Sequence, residues 1–280
     1  MQHILITGGN SGIGKKTALG LAQDGERVII AARNMTKVNE AIQDIKVKTG
    51  NEEIYGISCD LASFESIRNA ARYYREQYGQ LDILINNAGL VTDKLGFTQD
   101  GLETQFGVNH IGHFLLTHEL IDLLQKAPEP RIVNVSSTAH LKGKINFNSF
   151  KGELGADKYK GMAAYAQSKL ANVLFTKELA RRYPNITSHC LHPGVVRTSI
   201  GNKNDNRALI SIAWTMMKPF MISAASGAKT SLYLARSKDV LKVNGLYYHN
   251  QKERKSSPLA HDQKLAEKLW EASEGIIGKE

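Results

Sequence analysis

The chain has 280 residues, 42% of them hydrophobic, enough apolar material for one large α/β core or two small ones and too much for a disordered chain. Its formal net charge of +9 is scattered, with a single dense run at Lys252-Glu253-Arg254-Lys255 that reads as an exposed loop. This argues against a nucleic-acid-binding stripe and leaves an anionic cofactor as the simpler use of the charge. The two cysteines, Cys59 and Cys190, stand in neither metal nor redox spacing, so free thiols in a reducing compartment are expected.

Strands are predicted at 3–7, 27–31, 54–58, 82–86, 131–136, 187–192 and 245–249. Helices are predicted between them at 12–24, 37–48, 64–78, 101–126, 162–182 and 224–235, with a last one at 260–272. Ile4-Leu5-Ile6, Val28-Ile29-Ile30 and Ile83-Leu84-Ile85 are continuous apolar runs, as strands buried on both faces are. The alternation predicts a single-domain Rossmann fold over 1–280, a doubly wound parallel sheet of about seven strands with helices on both faces. Two segments interrupt the rhythm, 141–161 and 196–223, and are expected to be substrate-binding loops beyond the carboxyl ends of strands. The first strand begins almost at residue 1, which leaves no room for a signal peptide. No apolar run reaches membrane-spanning length; 208–225 contains Lys218 and Pro219 and reads as an amphipathic lid, with its apolar part 210–221 over the substrate. A cytoplasmic protein without an integral membrane segment is the expectation.

The first strand runs into Thr7-Gly8-Gly9-Asn10-Ser11-Gly12-Ile13-Gly14 and at once into a helix. Glycines permit the tight turn and the close approach of backbone amides to phosphate, and the helix N-terminus favours a pyrophosphate. Gly8, Asn10, Ser11, Gly12, Ile13 and Gly14 are therefore expected to hold a dinucleotide. The second strand ends in Ala32 and Arg33, where NAD-binding folds offer a carboxylate to the ribose 2′-hydroxyl. A guanidinium there suits a 2′-phosphate, so NADP(H) is the expected cofactor. Cys59-Asp60-Leu61 ends the third strand beside the expected adenine, where Asp60 either accepts from the adenine amine or caps the following turn. Asn86-Asn87-Ala88-Gly89 ends the fourth, small enough for the backbone to pass close to the cofactor, with asparagines to brace neighbouring strands.

Tyr165 and Lys169 are four apart in a helix-forming stretch, which puts them on one face. A phenol beside a fixed ammonium loses its proton more readily and can exchange it with an alcohol or carbonyl oxygen. His110 and His113 are three apart on a helix, without an acidic or cysteine partner at suitable spacing, so packing rather than metal binding is expected.

These motifs, with Asn109, Ser136-Ser137, Tyr165-Ala166-Gln167-Ser168-Lys169 and Pro193-Gly194-Val195-Val196-Arg197-Thr198, occur in the order of the short-chain dehydrogenase/reductase family, which the chain resembles over nearly its full length. Phe106-Gly107-Val108-Asn109-His110-Ile111-Gly112-His113-Phe114 and His192-Pro193-Gly194-Val195-Val196-Arg197 resemble its retinol dehydrogenase-like branch, although the sequence lacks the N-terminal membrane segment many such enzymes carry. The resemblance implies that Tyr165 is the general acid for reduction and base for oxidation, that Lys169 holds the nicotinamide ribose and depresses the Tyr165 pKa, and that Ser137 binds the substrate oxygen. It implies that Asn109 helps order a proton-relay water near Lys169. It also places Pro193, Gly194, Val196 and Thr198 around the nicotinamide; without the resemblance, Thr198 reads equally well as a helix N-cap.

The function so implied is NADP(H)-dependent hydride transfer between the nicotinamide and an apolar aldehyde or ketone, or its alcohol. Two alternatives use the same residues: reduction of a carbon–carbon double bond, as in the protochlorophyllide reductases, and non-catalytic NADP(H) sensing. The complete Ser137, Tyr165 and Lys169 set argues against a sensor. Family members often pair through the helices near Asn109 and Tyr165. The polar excursion 141–161 would obstruct that pairing, so a monomer and a homodimer are both open.

Overall fold

The computed structural model describes residues 1–194 and 222–278. Its sheet is built from β1 (His3–Thr7), β2 (Arg27–Ala32), β3 (Ile54–Ser58), β4 (Ile83–Asn86), β5 (Arg131–Val135), β6 (Thr187–Leu191), β7 (Tyr247–His249) and β8 (Lys252–Glu253), in the order β3-β2-β1-β4-β5-β6-β7-β8. Neighbours from β3 to β7 are parallel, and only β7 and β8 are antiparallel. The strand order reverses between β1 and β4, which opens a crevice at their carboxyl ends, the position where such sheets take ligands.

The apolar runs do what their composition requires. Ile4, Ile6, Val28, Ile30, Ile83 and Ile85 point into one core, while Leu5, Ile29 and Leu84 point into the other. Helices α1 (Gly12–Gln23), α2 (Met35–Thr49) and α7 (Ala224–Arg236) supply the first core. The second is covered by α3 (Phe64–Tyr78), α5 (Gly112–Lys126), α6 (Gly161–Arg182) and α8 (Gln263–Ile277). Each fully buried isoleucine or leucine contributes roughly 1.5–3 kcal/mol, which is why the central strands β1, β2 and β4 are apolar between their first and last residues. Asn34 and Ser63 cap α2 and α3 through the N–H groups of Lys37 and Ser66, and Gly50 and Gly79 end the same helices in the left-handed conformation.

Two elements depart from expectation. The helix expected at 101–126 starts later, as a short α4 (Thr104–Phe106). Gly101 has φ +76°, outside helical space, and the Glu103 carboxylate accepts from the N–H groups of Gln105 and Phe106. The chain then makes a π-turn, Gly107–Ile111, around Asn109 before α5. The second departure is β8. Asn250 and Gln251 both have positive φ, the two-residue turn that joins twisted antiparallel strands, and His249 pairs with Lys252. The basic run 252–255 is exposed as expected, but it begins as an eighth strand rather than as a loop.

The excursion 141–161 is not a free surface loop. It contains the short 3-10 turns Phe147–Ser149 and Ala156–Lys158, and Phe150 stacks on Phe106 with ring centres 3.9 Å apart. Among the described residues, no helix is long and apolar enough to cross a membrane.

Candidate active site

The glycine loop folds as its composition demands. Gly8 has φ +67° and Gly12 φ +54°, and a Cβ at Gly14 would collide with the Gly8 carbonyl and the Asn87 amide. Ser11 is the N-cap of α1 but its side chain makes no capping bond. The first turn of α1 therefore faces the crevice with its amide donors uncapped by that side chain. This cradle fits a pyrophosphate through close backbone approach and a helix N-terminus.

At the end of β2, Ala32 is followed by an exposed Arg33 that pairs with no carboxylate among the described residues. Asp60 is already engaged: its Oδ1 accepts from Ala62 N–H at 3.0 Å, so of the two roles open in the sequence the turn cap is made. Leu61 is buried under Gly112, where a Cβ would meet the Leu61 carbonyl at 2.6 Å. Beside this end an open groove of about 620 Å³ runs along β3 and α3, lined by Ser58, Asp60, Ser66, Asn69 and Tyr73. Tyr165 is not among its lining residues.

Asn86 and Asn87 brace strands. Asn86 Nδ2 donates to Asn134 Oδ1 at 2.8 Å, and Asn87 Nδ2 donates to the Thr7 carbonyl at 2.7 Å. Ala88 N–H donates to Thr7 Oγ1 at 2.9 Å. Gly89 then passes under the catalytic candidates: a Cβ there would stand 3.2 Å from Asn109 Oδ1 and 3.3 Å from Lys169 Nζ. Asn109 is fully buried, and its side chain is spent on Leu90 and Ser168. Its Oδ1 accepts from Leu90 N–H at 2.8 Å, and its Nδ2 donates to the Leu90 carbonyl and to Ser168 Oγ, both at 3.0 Å.

The two serines after β5 divide. Ser136 Oγ is buried and donates to the Lys169 carbonyl at 2.7 Å, while Ser137 Oγ is half-buried and lies on the side of the Tyr165 phenol, near enough to lower its pKa. Lys169 is 3% exposed, and its Nζ donates to the Val135 carbonyl at 3.1 Å. Burial pulls its pKa down to about 8. The sequence predicts that Lys169 depresses the Tyr165 pKa, and here the direction is opposite. Burial raises the Tyr165 phenol above its ordinary value, and the Ser137 hydroxyl opposes the rise. The ammonium is 5.7 Å from the Tyr165 ring centre and turned toward Val135, too far to reverse the cost of desolvation.

Pro193 and Gly194 follow β6, with Gly194 at φ +90° and its N–H donating to His192 Nδ1 at 3.1 Å. Val196 and Thr198 lie outside the described residues, as does 210–221. His110 and His113 are buried and held neutral, their pKa values pulled down by burial to about 3 and about 4. His118 is exposed. Among the described residues no cluster of His, Cys, Asp or Glu could hold a metal ion.

Three residues that organise this site were given no role by the sequence, although Ser168 stands within the Tyr165–Lys169 motif. Ser168 ties Asn109 to the Tyr165 carbonyl. Gln105 Nε2 donates to the carbonyls of Thr92 and Gly161 and to Tyr159 Oη. His140 grips the Ser137 backbone. Each has at least one partner 13 or more positions away: Thr92, Tyr159 and Gly161 for Gln105, Asn109 for Ser168 and Ser257 for His140. The Thr7–Gly14 loop, Gly89, Asn109, Ser137, Tyr165, Lys169, Pro193 and Gly194 converge on the crevice, and Arg33 flanks it at the end of β2.

Residues 2–208 match the profile of the short chain dehydrogenases. Human retinol dehydrogenase 13 is 42% identical over 288 residues, spanning 100% of this chain and 85% of that protein. Mouse retinol dehydrogenase 12 is 42% identical over 277 residues, spanning 98% and 86%. Among solved structures, an uncharacterized protein from Mycobacterium paratuberculosis superposes with a TM-score of 0.79 at 31% identity, covering 99% of this chain and 93% of that one.

Proposed function

This chain belongs to the short-chain dehydrogenase family, in its retinol dehydrogenase-like branch, and is an oxidoreductase; from that premise we propose that it moves hydride between NADP(H) and an apolar aldehyde or ketone, or the corresponding alcohol. The observation that carries the reading is the placement of Ser137, Tyr165 and the buried Lys169 ammonium together after β5 and along one face of α6, with Lys169 Nζ 5.7 Å from the Tyr165 ring centre and bonded to the Val135 carbonyl. A phenol, a hydroxyl and a cation at one point handle a proton and a developing negative charge together.

Bound NADP(H) supplies the hydride; the chain does the rest. The amides of Gly12–Gly14 and the α1 N-terminus hold the pyrophosphate, and Arg33 takes the 2′-phosphate through charge-assisted hydrogen bonds. Ser137 Oγ–H holds the substrate oxygen. Tyr165, whose phenol burial raises above its ordinary pKa, gives its proton to that oxygen during reduction and recovers it during oxidation. Lys169 keeps one N–H on the Val135 carbonyl, and its other two donors hold the nicotinamide ribose hydroxyls. Asn109 fixes the Gly89–Leu90 backbone against α6 so that these groups keep register. The apolar character of the substrate rests on the names of the relatives, which act on a long apolar alcohol.

The test is turnover. Purified protein, mixed with NADPH and a panel of aldehydes, ketones and enones, should consume NADPH with aldehydes, and Tyr165→Phe should abolish it. Turnover confined to enones would replace the reading with double-bond reduction. Tight NADPH binding without turnover on any substrate would replace it with a sensor.

A further inference from the structure

We propose that His140 is a positioning residue that sets the Ser137 hydroxyl for the reaction by gripping the Ser137 backbone from behind, with its tautomer locked by the backbone of Ser257. The inference rests on the role of Ser137 given above.

Ser137 opens the 3-10 turn Thr138–Lys142, and His140 is the buried residue of that turn, 0% exposed. The Ser137 carbonyl receives two donors from this one residue: the His140 backbone N–H at 3.1 Å and the ring Nδ1–H at 2.7 Å. On its far side the ring accepts. Ser257 N–H donates to Nε2 at 3.2 Å, and a backbone amide has only a proton to offer. Nε2 must therefore carry a lone pair and Nδ1 the proton, so the ring is neutral and of one tautomer. Burial, which lowers the His140 pKa, favours the same neutral state. Tyr247 closes the remaining side, its ring centre 4.6 Å from that of His140.

The consequence reaches Ser137 Oγ directly. That oxygen accepts from Ala139 N–H at 3.2 Å within the same turn and faces the Tyr165 phenol. A hydroxyl that uses one lone pair on Ala139 N–H keeps its proton free for the partner in front. The turn must keep its shape for this to hold, and its shape is set by the two bonds into the Ser137 carbonyl. His140 touches neither substrate nor cofactor site. It connects the Ser137 turn to the segment that follows β8, about 120 residues later in the chain, a span of 117 positions between bonded residues.

The experiment separates grip from bulk by side-chain chemistry. His140→Asn keeps an N–H near the position of Nδ1 and loses the reach to Ser257. His140→Gln places an oxygen near Nε2 for Ser257 and loses the donor to Ser137. With the full-length protein, NADPH and an aldehyde that turns over, His140→Asn should keep kcat within about threefold. His140→Gln should lower kcat roughly 10- to 100-fold, the scale of a misplaced catalytic group. In both, the Kd and KM for NADPH should stay unchanged. Ser257→Pro removes the amide proton without touching the ring and suits the local φ of −60°. It should lower kcat several-fold, and it keeps the proposal testable if a His140 variant fails to fold. Equal losses in Asn and Gln variants, tracking their unfolding midpoints, would mean a packing role alone and would overturn the proposal, as would wild-type kcat in both the Gln and the Pro variants. Ser137→Ala separates the two levels: full activity there defeats the role of Ser137 itself, whereas an inactive Ser137→Ala beside fully active Gln and Pro variants defeats only the role of His140.

Discussion

Thr7 Oγ1 lies 2.9 Å from Nε2 of His113, and this contact joins the end of the first strand to the helix that carries Asn109. The Thr7 oxygen already accepts the N–H groups of Asn87 and Ala88, each at 2.9 Å, so its own proton goes to His113. His113 in turn donates Nδ1–H to the Asn109 carbonyl at 3.1 Å. β1, the Asn87–Gly89 backbone and the π-turn thus meet through one hydroxyl and one neutral imidazole, directly beneath the crevice.

Thr7→Val deletes that hydroxyl while keeping the shape. It leaves the Ala88 N–H and one imidazole nitrogen without partners, while the Asn87 N–H keeps the Ile85 carbonyl at 3.0 Å, and each unpartnered group costs about 1–3 kcal/mol. A loss of roughly 3 kcal/mol in urea unfolding is expected, with Thr7→Ser within about 1 kcal/mol of wild type. A Val variant as stable as wild type would show that the network carries no stability.

Arg33→Asp removes the cation expected at the 2′-phosphate. Charge-assisted hydrogen bonds contribute about 1.5–3 kcal/mol, so NADPH should bind roughly 10- to 100-fold more weakly and NADH nearly as before. Titration of both cofactors by fluorescence reads this directly. Equal weakening of both would end the 2′-phosphate role, and a wild-type preference for NADH would end it sooner.

Lys169 holds a buried charge below its pKa of about 8, well under the ~10.4 of an unfolded lysine. Between those values the unfolded chain binds more protons than the folded one, so this group makes stability rise with pH across that window and lowers it below pH 8. The cost at neutral pH is roughly 3 kcal/mol at about 1.36 kcal/mol per unit. Lys169→Met removes it and loses about 1 kcal/mol for the bond to Val135. Without cofactor the variant should be more stable than wild type by about 2 kcal/mol at pH 7 and should lose that advantage by about pH 10.5. Unfolding curves at the two pH values check the sign; a Met variant less stable at pH 7 would refute it.

Tyr159 Oη donates to the buried Glu103 carboxylate at 2.7 Å and accepts from Gln105 at 2.7 Å, latching the 141–161 excursion to the turn before α4. Tyr159→Phe should cost about 1–2 kcal/mol. It should also speed tryptic cleavage after Lys158 and Lys160, seen by mass spectrometry of timed digests. Unchanged cleavage would show that Phe150 stacked on Phe106 holds the excursion by itself.

Local spacing was enough for much of this protein. Apolar runs such as Ile83-Leu84-Ile85 can be satisfied only inside a two-sided parallel sheet, Gly8 and Gly12 mark backbone that other residues resist, and Tyr165 and Lys169 share a face because helices repeat every 3.6 residues. Tertiary structure decided what depends on contacts between distant segments and on exclusion of water. It separated Ser136, turned inward to the Lys169 carbonyl, from Ser137, turned to Tyr165. It reversed the expected shift of the Tyr165 phenol, because desolvation depends on everything that surrounds a group and no spacing encodes it. It also recruited His113, His140 and Gln105, whose roles exist only once their partners from other parts of the chain arrive.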